Sequence, residues 1–148
     1  MIPEFNKDGV LPAGIHLTNL IEFKERFVYN YKREAIYNGF LKLVEDLKKM
    51  GSPALYVDGS FITKKQLPND VDVCWERIPG DDFLRFVKLN FPIFFKFHHP
   101  RKEQQDTYCA DVFPADFIEL SSGKLFLDYF QIDRNTGLPK GIIKIEII

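Results

Sequence analysis

The strongest pattern along the chain is a stripe of apolar residues at spacings of three and four. It runs through Ile36, Phe40, Leu43, Val44 and Leu47, with Lys42, Glu45, Lys48 and Lys49 between them. That period predicts an amphipathic helix over residues 31–50 with one face buried. Gly51 stands where a C-cap glycine belongs, and Pro53 follows it. Upstream, residues 1–15 contain two Pro and two Gly and read as an extended lead-in; a first helix is expected from Thr18 as N-cap, with Glu22 in its first turn.

After Gly51 the pattern changes to short apolar runs. Residues 54–57 and 71–75 read as strands, and Pro79-Gly80-Asp81 opens a short helix through Phe83, Phe86, Val87 and Leu89. Residues 94–98 read as a third strand, 101–106 as an exposed polar loop, and 107–113 as a strand that stops at Pro114. Residues 126–132 are extended, 133–137 are rich in turn formers, and 142–148 alternate Ile with Lys144 and Glu146 as a half-buried strand. The last two runs suggest a C-terminal hairpin whose apolar edge is free to pair across a homodimer. The whole order fits an α+β fold, with a mixed β-sheet and helices packed on one side.

Composition narrows the class. The 148 residues suit one domain, 1–148, and the 45% apolar content with fifteen Phe implies a filled interior. A net charge of −1 provides no global basic field for nucleic acid. Cys74 and Cys109 lie in strand-like runs with no zinc spacing, so both are expected as reduced thiols. The first residues have no signal-peptide core and no run approaches membrane-spanning length. The expectation is a soluble, cytoplasmic protein with no membrane partner.

Chemistry concentrates in Ala54-Leu55-Tyr56-Val57-Asp58-Gly59-Ser60 and, nine residues later, Asp70-Val71-Asp72. On a strand, Asp70 and Asp72 share one face, where two like charges call for a cation. Hard oxygen ligands suit Mg²⁺, and the Gly59-Ser60 turn beside them suits a phosphate. Asp58 reads as a strand-end residue outside the ligand set. Lys64 and Lys65, between the motifs, are candidate phosphate contacts, although solvated loop lysines are the plainer reading. Adjacent His98 and His99 point to opposite faces of a strand and do not easily share an ion. His16 suits anchoring the lead-in as well as chemistry, the phenylalanines read as core, and Arg134 and Lys140 flank a turn from which either a phosphate or a partner is reachable.

In combination, Gly59-Ser60, the spacing to Asp70-Val71-Asp72, the helix before them and a strand-borne Asp after them resemble the polymerase-beta-like nucleotidyltransferases. The size and short spacing are similar to the minimal nucleotidyltransferases, many of which act as antitoxins. Leu11, Pro12, Gly14 and His16, with Phe130, Gln131, Asp133, Arg134, Lys140 and Gly141, resemble the ends of a small, largely uncharacterised prokaryotic and phage group of such domains. The resemblance implies that Gly59 and Ser60 contact the phosphates of a nucleoside triphosphate and that Asp70 and Asp72 hold one or two Mg²⁺ ions. It also implies a third carboxylate, for which Asp111 in its apolar strand is the choice and Asp116 the alternative. The implied activity moves an NMP, AMP from ATP, onto a hydroxyl of a protein (a cognate toxin) or an RNA end, in a toxin–antitoxin or phage-defence setting. The rival is a binding module of the same fold that neutralises a partner or senses a nucleotide by contact.

Overall fold

A computed structural model describes residues 1–147 of the chain. Strand β1 (Gly14–Thr18) leads into helices α1 (Leu20–Phe27) and α2 (Tyr31–Met50), then strand β2 (Ala54–Asp58) and a 3₁₀ turn over Ser60–Ile62. Strand β3 (Val71–Trp75) and helix α3 (Asp81–Asn90) follow. A second 3₁₀ turn (Pro92–Phe95), helix α4 (Lys102–Tyr108) and strand β4 (Ala110–Pro114) come next. The two-residue strands β5 (Ile118–Glu119) and β6 (Lys124–Leu125) form a small hairpin before α5 (Phe126–Tyr129) and strand β7 (Gly141–Glu146). The main sheet has five strands in the order β1-β7-β2-β3-β4 and is mixed, with the outer pairs parallel and the inner pairs antiparallel.

Helix α2 forms as its period requires. Asn30 caps its first turn by accepting from the Arg33 N–H, and Gly51 closes it in the left-handed conformation (φ 94°). Alternation sends Leu55, Val57, Val71, Val73, Trp75, Ala110, Val112, Ile143 and Ile145 toward the long helices, the main core. The opposite face carries Tyr56, Cys74, Phe113 and Ile142, covered by Phe126 and Phe130. The short α5 therefore lies across the sheet from the long helices, a correction to helices on one side only.

Several elements differ from the sequence reading. Residues 14–18 of the lead-in form β1, so the N-cap of α1 is Asn19, while Thr18 remains in the strand and its hydroxyl bonds the Glu22 carboxylate. Residues 94–98 do not form a strand: Pro92 starts a 3₁₀ turn, and Phe94 packs inward on Trp75 and Tyr108. The polar run at 101–106 is mostly helix α4, which continues through Tyr108, because the Tyr108 ring stacks on Phe94 and its hydroxyl donates to Asp46 (2.6 Å). Buried Gln104 of the same helix faces the outer edge of β4. Its amide accepts from the Val112 N–H (2.9 Å) and donates to the Val112 carbonyl (3.1 Å), occupying the position of a neighbouring strand. Residues 126–132 contain helix α5, since Phe126 and Phe130 at i and i+4 both pack on Phe113.

The expected pairing of 126–132 with 142–148 does not form among the described residues; the chain turns back on itself only through one antiparallel bridge, Ile132 with Pro139, and β7 is not an edge strand. It lies between β1 and β2, bonded to both, so it offers no edge for a dimer. The last residue of the predicted 142–148 strand lies outside the described residues.

The terminal motifs meet at this insertion. Gly141 N–H donates to the Leu11 carbonyl (3.0 Å), and His16 Nε2 lies 2.7 Å from the Pro12 carbonyl. A Cβ on Gly141 would stand 2.1 Å from the Pro12 oxygen, closer than any contact tolerates. Gly141→Ala is therefore expected to destabilise the fold by about 2–3 kcal/mol, read as a lowered midpoint in urea unfolding. An unchanged midpoint would mean that the β1–β7 junction is looser than described.

Candidate functional site

The register of the three neighbouring strands places Asp58 opposite Asp72 and Asp72 opposite Asp111. Three carboxylates thus stand in a row across β2, β3 and β4 on the face away from the main core. Asp70, two residues before Asp72, projects to the same side. Oxygen atoms of Asp70, Asp72 and Asp111 all lie within 4.8 Å of one another.

Such a row is electrostatically costly, and its two ends are each compensated by protein cations. At one end Lys140 Nζ lies 3.2 Å from Asp58 Oδ1. At the other, Arg101 Nε lies 3.0 Å from Asp111 Oδ1, and the guanidinium sits over the Phe113 ring. The Gln105 amide bridges inward, donating to Asp111 Oδ1 (2.6 Å) and to Asp70 Oδ2 (2.9 Å). Asp70 and Asp72 have no ion-pair partner among the described residues. Burial first, then the charge of neighbouring Asp70, Asp58 and Asp111, pushes the Asp72 carboxyl up to about 7. Asp70 is raised by burial and by Asp111, and Asp58 by burial against the opposing pull of Lys140.

The Gly59 turn fits against this group. Its backbone has φ 84°, and a Cβ there would come within 2.6 Å of Asp72 Oδ2. Glycine is needed twice over, for conformation and for space. The segment beyond it is held by Arg33 of α2, which is fully buried. Arg33 donates to the carbonyls of Phe27 (2.9 Å), Phe61 (2.6 Å), Thr63 (3.1 Å) and Lys65 (2.6 Å), so one guanidinium fixes the whole loop after Gly59-Ser60.

Two clefts meet at the carboxylates. The first, of about 490 Å³, is lined by Gly59, Ser60, Lys64, Lys65, Arg134 and Lys140 around Asp58 and Asp72. The second, of about 720 Å³, runs from Asp70, Asp72 and Asp111 past His98, His99 and Arg101 to a wall of aromatic side chains. Asp72, Tyr129, Phe130 and Arg134 border both.

The structure brings together Gly59, Ser60, Asp70, Asp72 and Asp111, with Lys64 and Lys65 lining the same cleft as the turn. Asp116 is not among them: it pairs with Arg77 away from the cluster. Asp58 is the last residue of β2 and stands outside the group of three close carboxylates, as expected of a strand-end residue that is not a ligand; what the sequence does not reveal is that the register sets it opposite Asp72 and that Lys140 pairs with it. Arg101 and Gln105 were hidden in what reads as an exposed polar run. His98 and His99 lie on the second cleft and form no metal cluster with other residues among those described. Cys74 is buried and its thiol is pushed well up, chiefly by burial, so it is not a nucleophile.

The donor set fits a hard divalent cation: three close carboxylates, two of them without a protein cation. Residues 3–146 match a family described as "Family of unknown function (DUF6932)", and the chain belongs to that family. No curated protein and no solved structure matches it.

The raised Asp72 carboxyl has a consequence for the metal-free protein. Between about pH 4 and about 7 the folded chain holds a proton that the unfolded chain has released, so stability falls as pH rises through this window. Asp72→Asn removes that loss. At pH 8 without metal, the variant is expected to melt at least about 3 °C above the parent, with the gap closing at pH 4. Thermal melts at the two pH values measure this, and equal midpoints at both would contradict the electrostatic reading of the row.

Proposed function

We propose that this protein is a Mg²⁺-dependent nucleotidyltransferase with a polymerase-beta-like fold, moving an NMP, AMP from ATP, onto a hydroxyl of a protein or RNA acceptor. The observation that carries the reading is the carboxylate row. Its ends are matched by Lys140 and Arg101, while Asp72 in the middle and Asp70 beside it have no ion-pair partner among the described residues. Two adjacent carboxylates left in that state, beside a glycine turn and lysines, suit a divalent cation carrying a triphosphate.

Asp70 and Asp72, with Asp111 beside them, are the residues that would hold the ion. When bound, it offsets the carboxylate charge and that of the phosphates. The Gly59-Ser60 turn and the nearby lysines bind the triphosphate in the first cleft. The acceptor hydroxyl enters from the second cleft and attacks the α-phosphorus. A new P–O bond forms, the bond from that phosphorus to the bridging oxygen breaks, pyrophosphate leaves, and Asp111 takes the hydroxyl proton. Most of the catalysis is positioning and charge compensation, for which few side chains are needed. The resemblance to minimal nucleotidyltransferases supports a toxin–antitoxin or phage-defence setting.

One observation favours a binding module instead. Asp111 is already engaged by Arg101 and Gln105, an arrangement that a protein without turnover keeps at no cost. Incubation with each α-labelled NTP and Mg²⁺, with and without the product of the neighbouring reading frame, separates the two. Transfer of label that falls by at least about a hundredfold in Asp70→Asn/Asp72→Asn is the expected result for the enzyme. Nucleotide or partner binding with no transfer by the parent would leave the binding module, and transfer that survives the double substitution would overturn the assigned site.

A further inference from the structure

The Asp58–Lys140 pair needs an explanation that fold stability does not supply. The Asp58 side chain is 6% exposed and that of Lys140 16%, and burying two charges that satisfy each other is at best about neutral relative to an apolar pair. The pair lines the first cleft together with the Gly59-Ser60 turn. Three constraints locate it. Asp58 is fixed by its register opposite Asp72, Gly141 is fixed by its bond to the Leu11 carbonyl, and Lys140 N–H donates to the Gln131 carbonyl (2.8 Å). The Lys140 ammonium is therefore held in place, whereas Lys64 and Lys65 are exposed on the loop opposite.

We propose that Lys140 is the residue that reads the terminal phosphates of the nucleotide, with Asp58 as the positioning residue that keeps its ammonium aimed into the first cleft. This rests on the nucleotidyltransferase reading and adds the element that selects a triphosphate over a monophosphate. An ammonium has three donors, and Asp58 Oδ1 takes one of them. The others remain for anionic oxygens, and the pair is pre-organised so that little ordering is left to the moment of binding. The remaining charged groups of the cleft are Lys64, Lys65 and Arg134 against Asp8, Asp72 and Asp133. With Asp72 occupied by a cation, the cleft as a whole favours an anion.

Calorimetric titration of the full chain with ATP and with AMP, each with Mg²⁺, tests the proposal, alongside a separate Mn²⁺ titration. Lys140→Met is expected to weaken ATP by about tenfold or more, with AMP affinity unchanged. Lys140→Arg retains most of the ATP affinity. Because Lys140→Met leaves Asp58 buried without its partner, Asp58→Asn/Lys140→Met is measured too. It restores the melting temperature while keeping the ATP loss. Equal loss for ATP and AMP, or none for either, overturns the role of Lys140 and leaves the nucleotidyltransferase reading standing. A parent protein that binds Mn²⁺ but not ATP overturns that reading, and this inference with it.

Discussion

Mutual repulsion in a line of aspartates governs how this molecule is arranged. Once the strands pair in the observed register, Asp58, Asp72 and Asp111 face one another across the sheet, with Asp70 alongside. Carboxylates this close and this far from water are tolerated only with compensation. Parts of the chain far apart in sequence supply it. Lys140 comes from the segment before the last strand, Arg101 and Gln105 from around α4, and the missing side chain of Gly59 leaves Asp72 its room. The compensation is uneven, and that unevenness gives the site its direction. The outer positions are matched by protein cations, and the middle ones face open clefts.

The scaffold around this line is correspondingly stiff. The two terminal nitrogens of Arg33 donate to four backbone carbonyls, and three of them belong to the loop that follows the glycine turn. The loop amides are tied down as well, with the N–H groups of Ile62, Thr63 and Lys64 donating to the carbonyls of Gly59, Ser60 and Gly9, so the segment beside the glycine turn is held in one arrangement from both sides. Gln104 does comparable work at the sheet's outer edge, where its side-chain amide replaces a strand. Both are long polar side chains buried for the sake of backbone groups.

Local patterns in the sequence were sufficient for α2, for β2 and β3, and for the pairing of Asp70 with Asp72, because each depends on neighbours a few residues apart. Gly59 and Ser60 were recognisable for the same reason. Failures cluster where distant packing overrides local character. Residues 94–98 look like a strand because they are aromatic, yet Phe94 is drawn inward and the edge such a strand would need is filled by Gln104. Residues 101–106 look solvated, yet Gln104 and Gln105 point at β4 and at the carboxylates. Asp58 was legible as a strand-end residue, but nothing in its own segment reveals that Lys140 arrives beside it. The placement of β7 was equally hidden, since alternation reveals a half-buried strand but not its neighbours.

That placement has an implication for how the molecule comes into being. The strand that joins β1 to β2 is encoded after every other strand described, so all of those strands are synthesised before the sheet can close. Until then β1 has no partner, β2 has one bare side, and the lysine that answers Asp58 has not been made. Pairings this distant are slow to find, and exposed strand edges in the interval invite pairing with other chains. The half-sheet of β2, β3 and β4 must therefore wait with its aspartates assembled and uncompensated at one end. A nascent chain of this protein thus carries its open strand edges until β7 arrives to fill the gap between β1 and β2.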